Sequence, residues 1–277
     1  MTPHLIALDI DGTIVDYDDK LSDRVRGVVR ACRAQGHHIV ISTGRSLSGA
    51  LDVANRLGLD QGYVVVSNGA VVASLNPQTE KGYELVHVET FNPGPALTRM
   101  NHALPTSLCM VEDANLERWA SADFPIGDLA AGDDLNIVRF AELKTLRATR
   151  IVLRELHGSR EEFADAVEKI GLHGVTYSVG WSNWLDIAPE GVSKASGLAR
   201  VADMLGIHQQ HTVGAGDGTN DHEMMEWVTH GIVMGQAGQK LKDLGTVITG
   251  TVQEDGLATA LQDYFDLSED EIRAAMA

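Results

Sequence analysis

The sequence predicts an α/β protein: a parallel sheet doubly wound with helices on both faces, interrupted by an inserted α+β module. Three observations carry this. Apolar runs and amphipathic stretches alternate from His4 to about Ser74, and the same rhythm returns from Lys194 onward. Between Tyr83 and Trp184, by contrast, strand-like runs outnumber helical ones. Strict alternation implies a parallel sheet with helices on both faces, whereas strands in series imply a separate, antiparallel α+β module. The boundaries read as 1–82 and 186–277 for the core, with 83–185 as the insert.

His4 to Leu8 is a short apolar run ending at Asp9 and Gly12, a buried strand that delivers acidic residues to a loop. From Ser22 to Gln35 the spacing places Val25, Val28, Val29 and Cys32 on one helical face, with Ser22 as N-cap and Gly36 as stop. HHIVISTGR is a second strand ending in a polar loop, and SLSGALDVANRLGL a second helix closed by Gly58. YVVVSNGAVVAS gives a third strand and a hairpin around Asn68-Gly69.

In the C-terminal part, Lys194 to Leu205 is helical, HTVGAGDG is strand then loop, and DHEMMEWV is helical. GIVMG and GTVITG add short strands before a final helix. Ligands of such sheets sit at the carboxyl ends of the strands, so the polar loops share one rim. In the insert, ELVHVET, SLCMVED, LERWA, ATRIVLREL, VTYSVG and NWLDI read as strands, with helices near Pro95 to Ala103 and Ser159 to Gly171. Gly127 to Asp134 is acidic and poorly periodic.

The composition, 44% hydrophobic and 22% charged over 277 residues, is that of a globular protein with a sizeable core. A formal net charge of -17 argues against a broad surface for nucleic acid or anionic membrane, since both need runs of Lys and Arg. Cys32 and Cys109 are far apart among apolar residues, which fits buried free thiols in a reducing compartment. The first residues lack a basic leader, and no apolar stretch approaches about 18 residues. The expectation is cytoplasmic.

The chemistry concentrates in four places. Asp9-Ile10-Asp11-Gly12-Thr13 sets two carboxylates at a strand end. In a continuing strand they point to opposite faces, but a turn at Gly12 lets both reach one pocket. A turn with solvated aspartates is the alternative. Gly216-Asp217-Gly218-Thr219-Asn220-Asp221 also follows an apolar strand. Carboxylates gathered in one crevice repel unless a cation joins them, and hard oxygen donors suit magnesium. Alone, this loop also reads as a calcium-type or Asx-turn loop, although the EF-hand spacing is not met. Ser42-Thr43-Gly44-Arg45 offers a hydroxyl and backbone N–H groups before a helix, as an anion cradle or a solvated N-cap. Lys194 opens a helix in GVSKASG, where a surface charge is the simpler reading.

In order and content these motifs resemble the haloacid dehalogenase superfamily, in particular its Cof-like type IIB sugar-phosphatase branch. DIDGT, STGR, the lysine of GVSKA and GDGTND look like its four motifs, with SNGA at Ser67 to Ala70 and EDGLATAL at Glu254 to Leu261 as further marks. Ala195 departs from the pattern, since relatives often carry glycine after the lysine. The resemblance implies a Rossmann-like core with a C2-type cap. It also implies a magnesium-dependent phosphatase acting on a small phosphorylated metabolite, such as a sugar phosphate. Asp9 would be the nucleophile and Asp11 the general acid and base. Asp9, the Asp11 carbonyl and Asp217 would hold Mg2+, with Asp221 in support. Thr43, Lys194, Asn220 and the N–H groups of Ile10 and Gly44 would hold phosphate. Trp181, Asn183 and Trp184 near the insert's return strand are candidates for lining the entrance, although tryptophan at such a place more often packs in a core. A phosphomutase, which returns the phosphoryl group to another hydroxyl, is the alternative enzyme. A phosphate-sensing regulatory module also pairs acidic residues with magnesium and a lysine, but generally omits a large insert.

Overall fold

The computed structural model describes residues 2–125, 134–179 and 183–276. The N-terminal half of the core runs β1 (Leu5–Leu8), α1 (Asp23–Ala34), β2 (His38–Ser42), α2 (Leu47–Leu57), β3 (Gly62–Val66), β4 (Val71–Leu75) and β5 (Tyr83–Val88). The insert follows with α3 (Gly94–Ala103), β6 (Leu108–Asp113), β7 (Arg118–Ala120), β8 (Leu135–Ile137), α4 (Phe140–Leu143), β9 (Ala148–Arg154), α5 (Arg160–Ile170), β10 (Val175–Val179) and β11 (Trp184–Pro189). The chain then returns through α6 (Lys194–Leu205), β12 (Thr212–Gly216), α7 (His222–Trp227), β13 (His230–Val233), α8 (Gln239–Lys242), β14 (Val247–Ile248), α9 (Gly256–Phe265) and α10 (Glu269–Met276).

Among the described residues, eight strands form the first sheet in the order β14-β13-β12-β1-β2-β3-β4-β5. β1, β2, β3, β12, β13 and β14 run parallel to one another, and β4, antiparallel to β3, and β5, antiparallel to β4, complete the edge. Strand alternation sorts the central side chains. Ile6 and Leu8 pack with Val28, Val29 and Cys32 of α1 and Leu257 and Leu261 of α9. Leu5 and Ala7 pack with Leu198 and Val201 of α6 and Met224 of α7. Both faces of β1 are therefore dry, as its unbroken apolar run requires. The helix ends match the sequence reading: the Ser22 hydroxyl caps α1 through the Val25 N–H, and Gly58 closes α2 in the left-handed conformation.

The insert is a six-stranded sheet in the order β10-β11-β9-β6-β7-β8. One face packs Cys109, Val111, Ile151, Leu153 and Ile187 against α3 and α5 through Met100 and Phe163. The opposite face carries Met110, Val152 and Trp184 beside the polar Glu112, Arg150 and Asp186, and it lies over the rim of the first sheet. Ser67 donates to Glu112 at 2.6 Å, Arg118 to Ser48 at 3.1 Å, and Thr219 to the Val179 carbonyl at 3.2 Å.

Four details differ from expectation. ELVHVET, expected in the insert, is β5 at the edge of the first sheet, paired with β4. The insert is not wholly antiparallel, because β7 and β8 run parallel. Trp184–Pro189 stays in the insert's sheet, past the boundary placed at 185/186. Finally, the C-terminal segment forms two helices rather than one, since Asp266 leaves the helical region at φ 51° and separates α9 from α10. Most of the Gly127 to Asp134 stretch lies outside the described residues. Among the described residues no helix is long and apolar enough to cross a membrane.

Candidate active site

The carboxyl ends of β1, β2 and β12 converge with the N-terminus of α6. Asp9 still donates its N–H to the Ala215 carbonyl at 3.0 Å, as the next rung of the β1–β12 ladder. The chain then folds back, and the N–H groups of Thr13, Ile14 and Val15 all reach the carbonyl of Ile10. Gly12 makes this turn at φ +76°. A Cβ there would lie 2.2 Å from Asp217 Oδ2, so only glycine lets the two acidic loops come this close. A second glycine sets the lysine. Gly69 has φ +102°, and its Cβ would lie 2.0 Å from the Ser193 carbonyl, where α6 begins.

Lys194 is completely buried, and its Nζ donates to Asp9 Oδ1 and Asp221 Oδ1, both at 2.6 Å. The other oxygen of Asp221 accepts the N–H groups of Asp217 and Gly218 at 3.0 and 2.9 Å. Asp221 thus locks the GDGTND loop to the lysine, and its oxygens are taken by protein donors. Burial opposes the ammonium charge of Lys194, but Asp221 and Asp9 outweigh it and hold its pKa above the ordinary value. Burial, with Asp221 adding to it, raises the Asp9 carboxyl well above the usual range despite Lys194. Burial, again reinforced by Asp221, pushes Asp217 up to about 6.

The donor set fits a small hard cation. Oxygens of Asp9, Asp217 and Asp221 lie within 4.8 Å of one another, all buried, and among the described residues Lys194 is the cation bonded to Asp9 and Asp221. Three carboxylates against one ammonium leave buried negative charge, which a divalent ion on Asp9 and Asp217 would neutralise.

Asp11 turns away from this cluster. Its carboxylate is about half exposed and accepts two bonds from Arg45, which also binds Asp19 at 2.8 Å. Thr43 is buried; its hydroxyl oxygen accepts the Arg45 N–H at 3.1 Å, and its N–H donates to the Val65 carbonyl at 2.9 Å. Gly44 sits beside Asn68 and Asn220, and Asn220 donates to Asn68 Oδ1 at 2.9 Å. The STGR loop is stitched to the SNG turn by Ser67 N–H to Arg45 O and Asn68 N–H to Thr43 O.

A pocket opens between these loops and the insert, with Lys194 and Asn220 on the core side and Thr176, Ser178 and Asp186 opposite. Neither Trp184 nor Asn183 lines it. Trp184 packs with Met110 and Val152 and donates its Nε1–H to Asp186 at 2.9 Å. Asn183, at φ 49°, donates to the carbonyls of His157 and Gly158 in the adjoining loop. Trp181 lies outside the described residues.

Sequence reasoning missed two partners of Asp217, Tyr17 and Gln236, and also Asp19, which shares Arg45 with Asp11. Tyr17 donates its hydroxyl to Asp217 Oδ2 at 2.8 Å, and Gln236 bonds both that oxygen, at 3.2 Å, and the Gly12 carbonyl, at 2.6 Å. Gln236 follows GIVMG, a strand tip on the same rim, which is a usable signal. Nothing local in the sequence marks Tyr17 or Asp19.

Residues 6–261 match the family model of the haloacid dehalogenase-like hydrolases. Among relatives, YkrA of Bacillus subtilis is 30% identical over 95% of this chain and 98% of its own length. A second protein of that organism, the 5-amino-6-(5-phospho-D-ribitylamino)uracil phosphatase YitU, is 25% identical over 96% of this chain and 98% of its own. A solved subclass IIB sugar phosphatase superposes with a TM-score of 0.78 at 19% identity, over 95% of this chain and all of the other; that likeness is one of fold.

Proposed function

The chain belongs to the haloacid dehalogenase-like hydrolases and is a phosphatase, and from that footing we propose a magnesium-dependent hydrolysis of small phosphate monoesters through an aspartyl-phosphate on Asp9. Sugar phosphates or related metabolites are the proposed class. The observation that carries the reading is the buried pairing of Lys194 with Asp9 and Asp221 at 2.6 Å, beside Asp217. A buried lysine touching a strand-end carboxylate is costly as scaffold but apt as an anchor for a phosphoryl group.

In this mechanism Asp9 attacks phosphorus in line, the ester P–O bond breaks, and Asp11 gives its proton to the departing alkoxide. Asp11 then takes a proton from water, which attacks the acyl phosphate and frees Asp9 and inorganic phosphate. Lys194 Nζ holds a nonbridging oxygen and orients Asp9. Thr43 and the N–H of Gly44, with Asn220 opposite, cradle the other oxygens. When bound by Asp9, the Asp11 carbonyl and Asp217, magnesium would supply positive charge to the phosphoryl oxygens. The six-stranded sheet of the insert, lying over the rim, acts as a cap that excludes water and selects the leaving group.

A release assay against a panel of phosphate esters, with and without magnesium, tests the reading. Magnesium-dependent inorganic phosphate is expected. Undiminished turnover after exhaustive EDTA treatment would end the metal assignment, and a phosphorylated isomer instead of free phosphate would make the enzyme a mutase.

A further inference from the structure

The pocket between insert and core is lopsided in charge. Its polar walls include Asn68, Thr176, Ser178, Asp186 and Glu223, and among the described residues Lys194 is the one Lys or Arg that lines it. Asp9 and Asp221 already take up that ammonium. Residues 126–133 and 180–182, outside the described residues, contain no Lys or Arg and so bring no cation wherever they lie.

The arginines nearby are engaged by carboxylates. Arg150 Nε donates to Asp186 at 2.8 Å, and the other oxygen of Asp186 takes the Trp184 Nε1–H. Arg45 is divided between Asp11 and Asp19. At the mouth, Glu223 stands exposed. A phosphoryl group seated against Lys194 and Asn220 would therefore present the rest of its ester to hydroxyls, amides and carboxylates, with no cation to receive a second anion.

We infer that this site selects phosphate monoesters whose alcohol portion is neutral or cationic, and rejects those carrying a second phosphate or a carboxylate. The inference rests on the phosphatase reading above and adds to it the charge of the leaving group. Thr176 and Ser178 hydroxyls can donate to and accept from the hydroxyls of a polyol. With Asp186 already balanced by Arg150, a carboxylate brought within several ångström of Glu223 meets like charge at intermediate dielectric, enough for at least about a tenfold loss in kcat/KM.

Three open-chain esters that differ at carbon 1 isolate this effect: glucitol 6-phosphate, its 1-amino-1-deoxy analogue, and 6-phosphogluconate. The expected kcat/KM for 6-phosphogluconate is at least about tenfold below that of glucitol 6-phosphate, with the amine equal or higher. Because the discrimination is electrostatic, the gap should shrink as ionic strength rises and shrink again in Glu223→Gln, with Glu223→Lys narrowing it furthest. Esters turned over too slowly are ranked by competitive inhibition of aryl phosphate hydrolysis, where the same order is expected. Equal ranking of the three, or a gap that moves with neither salt nor residue 223, overturns the inference and leaves the phosphatase reading standing. Failure of all three esters and an aryl phosphate to release phosphate with magnesium sinks both.

Discussion

Arg45 grips both carboxylate oxygens of Asp11, with Nε 3.0 Å from Oδ2 and Nη2 2.6 Å from Oδ1. The grip is itself braced, because Arg45 also binds Asp19, which Arg56 holds at 2.7 Å. An acid–base residue fixed this way has its orientation set by a guanidinium fork. Arg45→Ala should therefore lower kcat for an alkyl phosphate by about tenfold, within the range that general acid–base catalysis contributes. An aryl phosphate, whose leaving group needs little protonation, should lose less. Equal losses for the two substrates would mean that Arg45 acts on something other than Asp11.

Tyr17 reaches Asp217 from a loop distant in sequence, with its hydroxyl 2.8 Å from Oδ2. Groups that orient a metal-binding carboxylate typically matter 10- to 100-fold in affinity. Tyr17→Phe should raise the magnesium concentration for half-maximal activity by about tenfold, with kcat at saturating magnesium much less affected. An unchanged magnesium titration would remove Tyr17 from the site.

Magnesium should raise the melting temperature, because Asp9, Asp217 and Asp221 crowd buried negative charge around Lys194. The effect should be larger at pH 7.5 than at pH 5.5. Burial, with Asp221, sets Asp217 near 6 without metal, so protons compete with the cation below that value. The same increment at both pH values would contradict the assigned ligand.

At the opposite end of the sheet, His37 is buried, accepts the His4 N–H on Nδ1 at 3.1 Å and packs on Phe265. Burial, with His4 and His38 adding, lowers it to about 4 from an ordinary 6.5. The unfolded chain therefore binds a proton before the folded one does. The stability that this ring contributes is complete above about pH 6.5 and is lost as pH falls toward 4, by at most about 3 kcal/mol. Urea unfolding at pH 7 and pH 5 should show the loss, and His37→Gln should flatten it. A variant with the full wild-type pH dependence would place the titrating group elsewhere.

The core was legible because its periodicities are strong. The Ser22 cap, the face formed by Val25, Val28, Val29 and Cys32, and the Gly58 stop each follow from spacing that local physics enforces. Asp9, Lys194, Asp217 and Asp221 were legible as strand-end and helix-start residues, and the fold brings them together. What was not legible depends on pairing across distance. β5 reads like any strand, and only its hydrogen bonds to β4 assign it to the first sheet. Trp184 reads equally as a residue of the entrance or of the core, and only the fold shows it packed on Met110 and Val152, while Tyr17 is joined to Asp217 by a turn that no local pattern announces.

The most direct test is chemical capture on Asp11→Asn protein, mixed with a phosphorus-labelled aryl phosphate and quenched rapidly in acid. This variant keeps the proposed nucleophile, can expel an aryl leaving group, and lacks the base for water attack, so label should accumulate and decay slowly. Peptide mapping should place it on Asp9, and Asp9→Asn protein should show none. Label on another residue, or label persisting on Asp9→Asn, would contradict the assignment of Asp9 as nucleophile.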